Sequence, residues 1–186
     1  MGDEYCKVFC KGKSCIYEVP LLEKEKVRTS SSTIAIYPLL SNWITDTILA
    51  TQRPSQIHIL HTNLVQKFKD NGITGIFNLQ VAGEHAHCFQ GLVGDFSYDP
   101  LSFTDQGIQF FPFGWIDMKV PTTDLVLRMA QVMDMHIKDG GKIAVHCHAG
   151  LGRTGLAIAC YFLYSQTDLS ADRAIEIVRS RRFVYR

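Results

Sequence analysis

The residues Val145 to Gly155, VHCHAGLGRTG, hold a cysteine and an arginine at a spacing that could handle a phosphate group. Cys147 precedes Arg153, and the five residues between them are enough to circle a tetrahedral anion. A cysteine thiolate is a strong nucleophile, and the planar guanidinium of an arginine can bind two phosphate oxygens at once. The pattern therefore indicates attack of Cys147 on phosphorus while Arg153 holds the phosphate.

The backbone of the same segment favours anion binding before any side chain is considered. The run KIAVH before it is typical of a buried strand, and a helix is expected to open at Arg153. Gly150, Gly152 and Gly155 allow the chain to curl so that successive N–H groups converge, and the helix start adds unpaired donors. We therefore predict a phosphate-binding loop between a strand and a helix. Its substrate-binding residues are His148, Ala149, Gly150, Leu151, Gly152 and Arg153.

Three neighbours of the cysteine have separate expected roles. Thr154 places a hydroxyl beside the sulfur, where it can donate a hydrogen bond to the thiolate that departs in a second step. We interpret His146 as a buried hydrogen-bonding residue that fixes the loop. The side chain of His148 is expected at the rim of the site, without an essential role. Adjacent strand residues point to opposite faces, so these two histidines and the cysteine are not expected to chelate a metal.

The Cys-x5-Arg pattern followed by Thr-Gly resembles the signature of the protein tyrosine phosphatase superfamily. The longer string IAVHCHAGLGRTG, with IACY after it, is similar to the dual-specificity branch that contains the mitotic-exit phosphatases, and most similar to the protein tyrosine phosphatase domain-containing type. The segments NWITDTILATQRPS, GIFNLQ, GEHA and FGWIDM extend the resemblance over residues 42–180. It implies a cysteine-phosphatase fold and a cysteinyl-phosphate intermediate, with no cofactor.

The resemblance also implies a general acid, an aspartate on a loop before the cysteine, which protonates the leaving oxygen. Asp117 lies thirty residues before Cys147, in a loop flanked by Trp115 and Pro121. Asp124 is the alternative, but it falls at an expected helix start, where an acidic residue stabilises the helix end. We predict that Asp117 is the acid.

A phosphoprotein is the substrate that the resemblance implies. Phosphoinositide-directed relatives carry lysines between the cysteine and the arginine, whereas residues 148–152 contain none. The first hundred residues show no match to the tyrosine-bearing loop that deepens the cleft of tyrosine-specific enzymes. Hydrolysis of phosphotyrosine, together with dual specificity toward phosphoserine and phosphothreonine, follows by analogy. The alternative is a catalytically weak or inactive pseudophosphatase that binds phosphoproteins, although a nucleophile, an arginine and an acid are all present.

Two other kinds of site match parts of the sequence less well. Gly150 to Gly155, GLGRTG, fits the dinucleotide fingerprint, which requires a second strand with an acidic residue about twenty positions further on. That region, Ala174 to Arg179, instead has the pattern of an amphipathic helix. Two groups could be considered for zinc, but neither has a recognised ligand spacing, so no metal is expected. They are Glu84, His85, His87 and Cys88, and Cys6, Cys10 and Cys15.

The elements that would position the loop alternate between strand and helix, which indicates an α/β fold with a mainly parallel central sheet flanked by helices. Strands are expected at residues 33–37, 44–51, 73–79, 107–111 and 142–146. Helices are expected at residues 57–69, 122–136, 153–164 and 170–181, the second capped by Thr122 or Thr123. Residues 80–106 are expected to form a long loop.

The chain has 186 residues with 46% hydrophobic and 20% charged content, which suits one domain. A net charge of +1 predicts no nucleic-acid partner and no membrane association, and a monomer is expected. The six cysteines follow no secretory segment, so an intracellular, reducing compartment, the cytoplasm, is favoured.

The two ends of the chain are expected to differ from the centre. Residues 1–32 have mixed charge and predict a flexible arm, followed by a phosphatase domain over residues 33–186. After the last expected helix come Phe183 to Arg186, where the resemblance implies an Arg-Pro turn and a glutamine that positions water. We therefore expect the domain to be truncated, with apolar area left uncovered on that last helix.

Overall fold

The computed structural model describes residues 34–86 and 96–182. Five strands are present in these ranges: β1 (Ser41–Trp43), β2 (Ile48–Thr51), β3 (Ile73–Asn78), β4 (Gln109–Pro112) and β5 (Lys142–His146). The helices there are α1 (Gln56–Thr62), α2 (Leu64–Asp70), α3 (Leu101–Thr104), α4 (Thr123–Lys138), α5 (Gly152–Ser165) and α6 (Ala171–Arg181).

The strands form one sheet in the order β1-β2-β5-β3-β4, with β5 in the centre. Strand β1 pairs antiparallel with β2, and the other three pairings are parallel. The register aligns His146, the last residue of β5, with both Thr51 of β2 and Asn78 of β3. The predicted α/β fold is confirmed. Because ligands of such sheets bind outside the carboxyl ends of the strands, the chain that follows β5 lies at the expected place for a site.

Side chains of β5 alternate between two apolar layers. Ile143 and Val145 belong to one buried cluster, which also contains Met129 of α4 and Ile158 of α5. Ala144 belongs to the second cluster, on the other face of the sheet, together with residues of α2 and α3. A strand covered on both faces reads as a continuous apolar run, which is why KIAVH predicted this element with its observed bounds.

The amino-terminal half differs from the prediction in three places. Where one strand was expected at residues 44–51, there are two, β1 and β2, with residues 44–47 between them. The strand expected at residues 33–37 is wrong for the described positions 34–37, which form bends and a turn before β1. The single helix expected at 57–69 is two helices, because Asn63 has φ 53° and ends α1 while preceding α2. Asparagine tolerates this left-handed conformation better than most residues. The short helix α3 interrupts the loop expected at 80–106, and the arm expected at 1–32 lies outside the described ranges.

The last two helices begin and pack as a pair. Ser170 caps α6, its hydroxyl accepting a hydrogen bond from the Arg173 backbone at 3.3 Å. Ala174 and Val178 of α6 are buried, and Val178 Cγ1 lies 3.6 Å from where a Cβ on Gly155 would be. Gly155 therefore serves the contact between α5 and α6 and lies inside α5, not in the loop. The uncovered apolar area expected on α6 is reduced to Ile175, which is exposed.

The connection from β5 to α5 crosses closely over the end of β2. Gly150 has φ +71°, and a Cβ built on it would lie 2.1 Å from the carbonyl oxygen of Thr51. Both the backbone angle and the space therefore require glycine at this position. Gly152, by contrast, would have no atom within 4 Å of an added Cβ. Of the three glycines expected to shape the loop, Gly150 is the one whose geometry demands it.

Candidate active site

The loop between β5 and α5 carries a run of backbone N–H groups that directly follow Cys147 along the chain. Cys147 is buried directly after β5, at the carboxyl edge of the sheet. The backbone N–H groups of residues 149–154 donate hydrogen bonds to no group in the described parts of the chain. Buried or half-buried donors are normally satisfied, so a set left open next to a helix start is the arrangement that an oxyanion would complete.

Arg153 is held by groups from three other segments. Its Nη1 donates to Glu84 Oε2 at 2.7 Å, to the Leu79 carbonyl at 3.1 Å and to the Trp115 carbonyl at 3.0 Å. Its Nη2 donates to the other oxygen of Glu84, so the carboxylate and the guanidinium pair through two bonds. The Arg153 Nε is buried and has no hydrogen-bond partner in the described residues. The side chain is thus fixed by Glu84 on one edge, and on the other edge its Nε faces the carboxylate of Asp117, whose Oδ1 is 3.2 Å away.

The charge of Arg153 is secured although the side chain is buried. Burial disfavours the charged guanidinium, but the hydrogen bond to Glu84 and the neighbouring acidic groups outweigh it. The pKa of Arg153 is therefore raised above its ordinary value, and the group is a permanent cation.

Glu84 is the residue of the site that the sequence analysis missed. It was considered there only as part of a loop and as a zinc candidate. The structure places its carboxylate, almost fully buried, against Arg153. The available signal was its place in the Gly-Glu-His turn shortly after β3, because the carboxyl ends of β3 and β5 lie side by side in the sheet.

The structure brings Asp117 and not Asp124 to the arginine. Asp117 Oδ1 lies 3.2 Å from Arg153 Nε, and the Asp117 side chain is 40% exposed. Asp124 is 68% exposed in the first turn of α4, where it pairs with Arg128 at 3.0 Å. Asp124 therefore stabilises the start of α4, the role expected for it from the sequence if it is not the acid. Asp117 is therefore the aspartate that can reach a group bound at Arg153.

Thr154 lies in the first turn of α5 with its side chain fully buried. Its hydroxyl oxygen has no hydrogen-bond partner among residues 34–86 and 96–182. A buried hydroxyl without a partner is costly, so this group is available for a hydrogen bond to a species formed in the site.

His146 is completely buried and hydrogen-bonded at both ring nitrogens. Nδ1 lies 3.1 Å from the Cys147 carbonyl oxygen, which can only accept, so Nδ1 carries the proton. Nε2, at 2.7 Å from the Tyr98 hydroxyl oxygen, then accepts from that hydroxyl. Burial lowers the pKa of His146 to about 3 and raises the pKa of Tyr98. The neutral ring therefore ties the backbone at Cys147 to Tyr98, which agrees with the fixing role expected from the sequence.

The prediction of a rim position for His148 is wrong. The side chain is buried, and its Nδ1 accepts a hydrogen bond from Arg53 Nε at 2.9 Å. Its ring stacks on the ring of His85 with centroids 3.7 Å apart. The Arg53 backbone N–H also donates to the His148 carbonyl at 3.0 Å. His148 thus joins the loop to two other segments, and its Nδ1 is deprotonated because it accepts from a guanidinium.

Arg182 restrains the loop from behind, a contact that the sequence analysis did not foresee. Its Nε donates to the Gly150 carbonyl at 2.9 Å, and its Nη2 to the Leu40 carbonyl at 3.0 Å. Its Nη1 donates to the side chain of Asn42. The buried guanidinium at the end of α6 therefore connects the loop to the residues around β1.

Other candidate residues lie apart from this site or outside the described ranges. No group of three His, Cys, Asp or Glu side chains that could hold a metal occurs among the described residues. His87, Cys88, Cys6, Cys10 and Cys15 lie outside those ranges. Cys160 is partly buried on α5, and burial raises the pKa of its thiol. Within the described residues no helix is long and apolar enough to cross a membrane.

Comparison with known proteins shows which family this chain resembles. A family model described as "Tc-R-P: Polymorphic toxin system, DSP-PTPase phosphatase" matches residues 51–167. The chain is 42% identical over 183 residues to protein tyrosine phosphatase domain-containing protein 1 of Mus musculus, covering 97% of this chain and 23% of that protein. It is 41% identical over 66 residues to dual specificity protein phosphatase CDC14A of Homo sapiens, covering 36% of this chain and 11% of that protein.

A solved structure shares the fold. Kinase associated phosphatase, crystallised with serine in place of its catalytic-site cysteine, superposes with a TM-score of 0.64 at 21% identity, over 78% of this chain and 84% of that one. The fold and the matched segment define a protein of the protein tyrosine phosphatase superfamily. Within that superfamily the chain belongs to the DSP-PTPase phosphatase family, which confirms the resemblance found in the sequence. The chain spans 22–24% of the length of the three curated relatives that it matches over 97% of its own length.

The buried His146 predicts a pH-dependent loss of stability. The pKa of His146 is about 3 in the folded chain, against an ordinary value of 6.5, so the unfolded chain binds more protons between these values. The stabilising contribution is present above pH 6.5 and is lost as the pH falls toward 3. In urea unfolding, the native chain should lose about 2–3 kcal/mol more than His146→Gln between pH 7 and pH 4.5. Parallel losses in the two proteins would contradict the assignment.

The Glu84 pair predicts loss of oxyanion binding when its charge is removed. Glu84→Gln leaves the buried Arg153 cation without its anionic partner, a change that typically costs about 3–5 kcal/mol. Vanadate affinity, measured by calorimetry, should fall at least tenfold, and the melting temperature should drop. Asp124→Asn is the matched control, because an exposed pair with Arg128 contributes only about 0–1 kcal/mol. Unchanged vanadate affinity in Glu84→Gln would show that Glu84 does not position Arg153.

Proposed function

We propose that this chain is a protein phosphatase that hydrolyses phosphotyrosine, and phosphoserine and phosphothreonine, through a cysteinyl-phosphate intermediate. The observation that carries the proposal is the run of backbone N–H groups at residues 149–154, directly after Cys147, which have no acceptor in the described residues, together with the buried guanidinium of Arg153. Family membership supports it. A dianionic phosphate monoester matches this set in charge and in number of acceptors, because its three terminal oxygens can each accept several hydrogen bonds.

In the proposed first step the Cys147 thiolate attacks phosphorus and a sulfur–phosphorus bond forms. The bond between phosphorus and the leaving oxygen breaks, and Asp117 gives its proton to that oxygen. Negative charge on the three equatorial oxygens faces the loop N–H groups and Arg153. The position of Asp117 beside Arg153 Nε supports its role as the acid, since a phosphate bound there has its leaving group within reach of the carboxyl.

In the proposed second step water attacks the phosphorus of the cysteinyl-phosphate. The Asp117 carboxylate takes a proton from this water, the sulfur–phosphorus bond breaks, and inorganic phosphate leaves. The departing thiolate requires a hydrogen-bond donor, and the Thr154 hydroxyl is buried nearby without a partner in the described part of the chain. The step returns Cys147 to the thiolate and Asp117 to the acid.

The polarity of the loop supports a substrate with a single phosphate monoester. Residues 148–152 contain no lysine, and His148 accepts a hydrogen bond from Arg53, so its imidazole adds no positive charge. Arg153 is thus the cation that this loop itself supplies. A phosphorylated protein side chain, which carries one phosphate, suits this site better than a polyphosphorylated ring. Cys147 and Cys160 are free thiols, which supports our proposal of an intracellular, reducing compartment.

Hydrolysis of a generic aryl phosphate in the presence of EDTA tests the proposed reaction. Turnover should persist with the chelator, and Cys147→Ser should lose more than 95% of it, because a serine hydroxyl stays protonated in a site built for a thiolate. The serine variant should retain vanadate binding, which shows that the loop is intact. Cys160→Ser is the matched control, with turnover like that of the native chain. Turnover that survives in Cys147→Ser, or that EDTA removes, would sink the covalent mechanism.

The dependence of the rate on the leaving group tests whether Asp117 is the general acid. Asp117→Asn should reduce hydrolysis of an alkyl phosphate or phosphoserine peptide by about 10²–10⁴-fold. It should have little effect on an activated nitroaryl ester, whose leaving oxygen requires no proton. Asp124→Asn should change neither rate. If the leaving-group dependence appears in Asp124→Asn instead, the acid has been assigned to the wrong aspartate.

A further inference from the structure

Three apolar side chains are exposed on the loop that carries Asp117. Ile116, Met118 and Val120 are 63%, 83% and 91% exposed. Val120 and Met118 are the two most exposed large hydrophobic side chains in the described ranges. We call these three residues the apolar rim. Single exposed apolar residues are ordinary on protein surfaces, whereas three at alternating positions beside one candidate catalytic group form a patch.

The conformation of the apolar rim is held by specific contacts. The indole nitrogen of the buried Trp115 donates to the Lys119 carbonyl at 3.2 Å, and the Lys119 N–H donates to the Ile116 carbonyl at 3.2 Å. The Trp115 carbonyl accepts from Arg153 at 3.0 Å, which ties the loop to the phosphate site. These hydrogen bonds fix the backbone of the apolar rim and connect it to Arg153.

The backbone at the centre of the rim is strained. Met118 has φ 59°, in the left-handed region that is unfavourable for a residue with a side chain. Its N–H donates to Asp117 Oδ1 at 3.0 Å. Strained residues of this kind persist where the surrounding contacts impose them, and they concentrate at functional sites. The strain here turns the chain so that Met118 stands exposed immediately after the acid.

The position of Asp117 specifies what the apolar rim faces. A general acid must reach the oxygen that joins phosphorus to the rest of the substrate. The residues on either side of the acid are therefore the part of this loop closest to the substrate beyond that oxygen, which in a phosphoprotein is the polypeptide around the modified residue. A membrane or a second copy of this chain seated on the rim would cover Asp117 without presenting such an oxygen.

We infer that the apolar rim binds apolar residues that flank the phosphorylated residue of a protein substrate, and that it selects such sequences over polar ones. This inference rests on the proposed phosphatase function and adds the class of sequence that the site accepts. Contact with an aliphatic side chain removes part of Met118 and Val120 from water, and a contact of that size corresponds to a discrimination of about tenfold.

Two phosphotyrosine peptides test the inference, one with leucine and valine around the phosphotyrosine and the other with serine at those positions. The native chain should hydrolyse the first with a kcat/KM about tenfold higher. The double variant Met118→Gln/Val120→Gln should reduce this ratio to about one, while its kcat/KM for a small aryl phosphate stays within about twofold of the native value. Leu60→Gln is the matched control, because Leu60 is 68% exposed on α1, and it should keep the native ratio.

Binding by Cys147→Ser separates this inference from the proposed reaction. Fluorescence anisotropy should show tighter binding of the apolar peptide, and the Met118→Gln/Val120→Gln changes should remove that difference. If no native turnover occurs but the binding preference is present, the hydrolysis proposal fails and the rim assignment stands. Equal binding and equal hydrolysis of the two peptides would overturn the rim assignment. A third result would also overturn it. If the native chain sediments with phosphatidylcholine vesicles and the double variant does not, while the double variant keeps the native ratio of peptide hydrolysis, the rim contacts lipid and not substrate.

Discussion

The paired side chains of Glu84 and Arg153 are the interaction on which the site depends. A guanidinium buried alone would be too costly, so its partner decides both whether it stays charged and which of its edges is left open. Glu84 occupies Nη1 and Nη2. The Nε atom faces the Asp117 carboxylate, whose Oδ1 lies 3.2 Å away. The carboxylate of Glu84, in the loop after β3, thereby fixes the orientation of Arg153 beside Asp117.

Contacts from several other segments hold the loop between β5 and α5 in place. His146 and Tyr98 hold its beginning, Arg182 binds the Gly150 carbonyl from behind, and Gly150 packs against the Thr51 carbonyl. These contacts engage carbonyl groups and leave the N–H groups of residues 149–154 free. Preorganisation of this kind is what makes fixed dipoles effective toward a charged transition state.

Local patterns in the sequence predicted the parts of the fold that depend on local physics. The run KIAVH predicted β5 with its bounds, and Thr122, one of the two expected caps, begins α4, because burial on both faces and helix capping leave direct marks on residue type. The cysteine and the arginine came from their spacing, and the Asp117 assignment came from the family resemblance. Arg182 and the buried place of His148 could not be predicted, because their partners lie 32 and 95 residues away along the chain. Glu84, 69 residues from Arg153, left only its place after β3 as a signal. The position of a polar residue in a loop follows no periodic pattern, so the sequence does not indicate such a distant partner.

Two groups of the site cost stability. The Thr154 hydroxyl is buried without a hydrogen-bond partner in the described residues, and Met118 is held in a left-handed conformation. A sequence selected for stability alone would remove them, for example by replacing Met118 with glycine or asparagine. Their presence together at one edge of the sheet, above two well-packed apolar layers, is the distribution expected when a stable scaffold supports a strained site. The packing of the two apolar layers therefore offsets the cost of these residues. Their place at the site explains why they depart from the residue types that local stability favours.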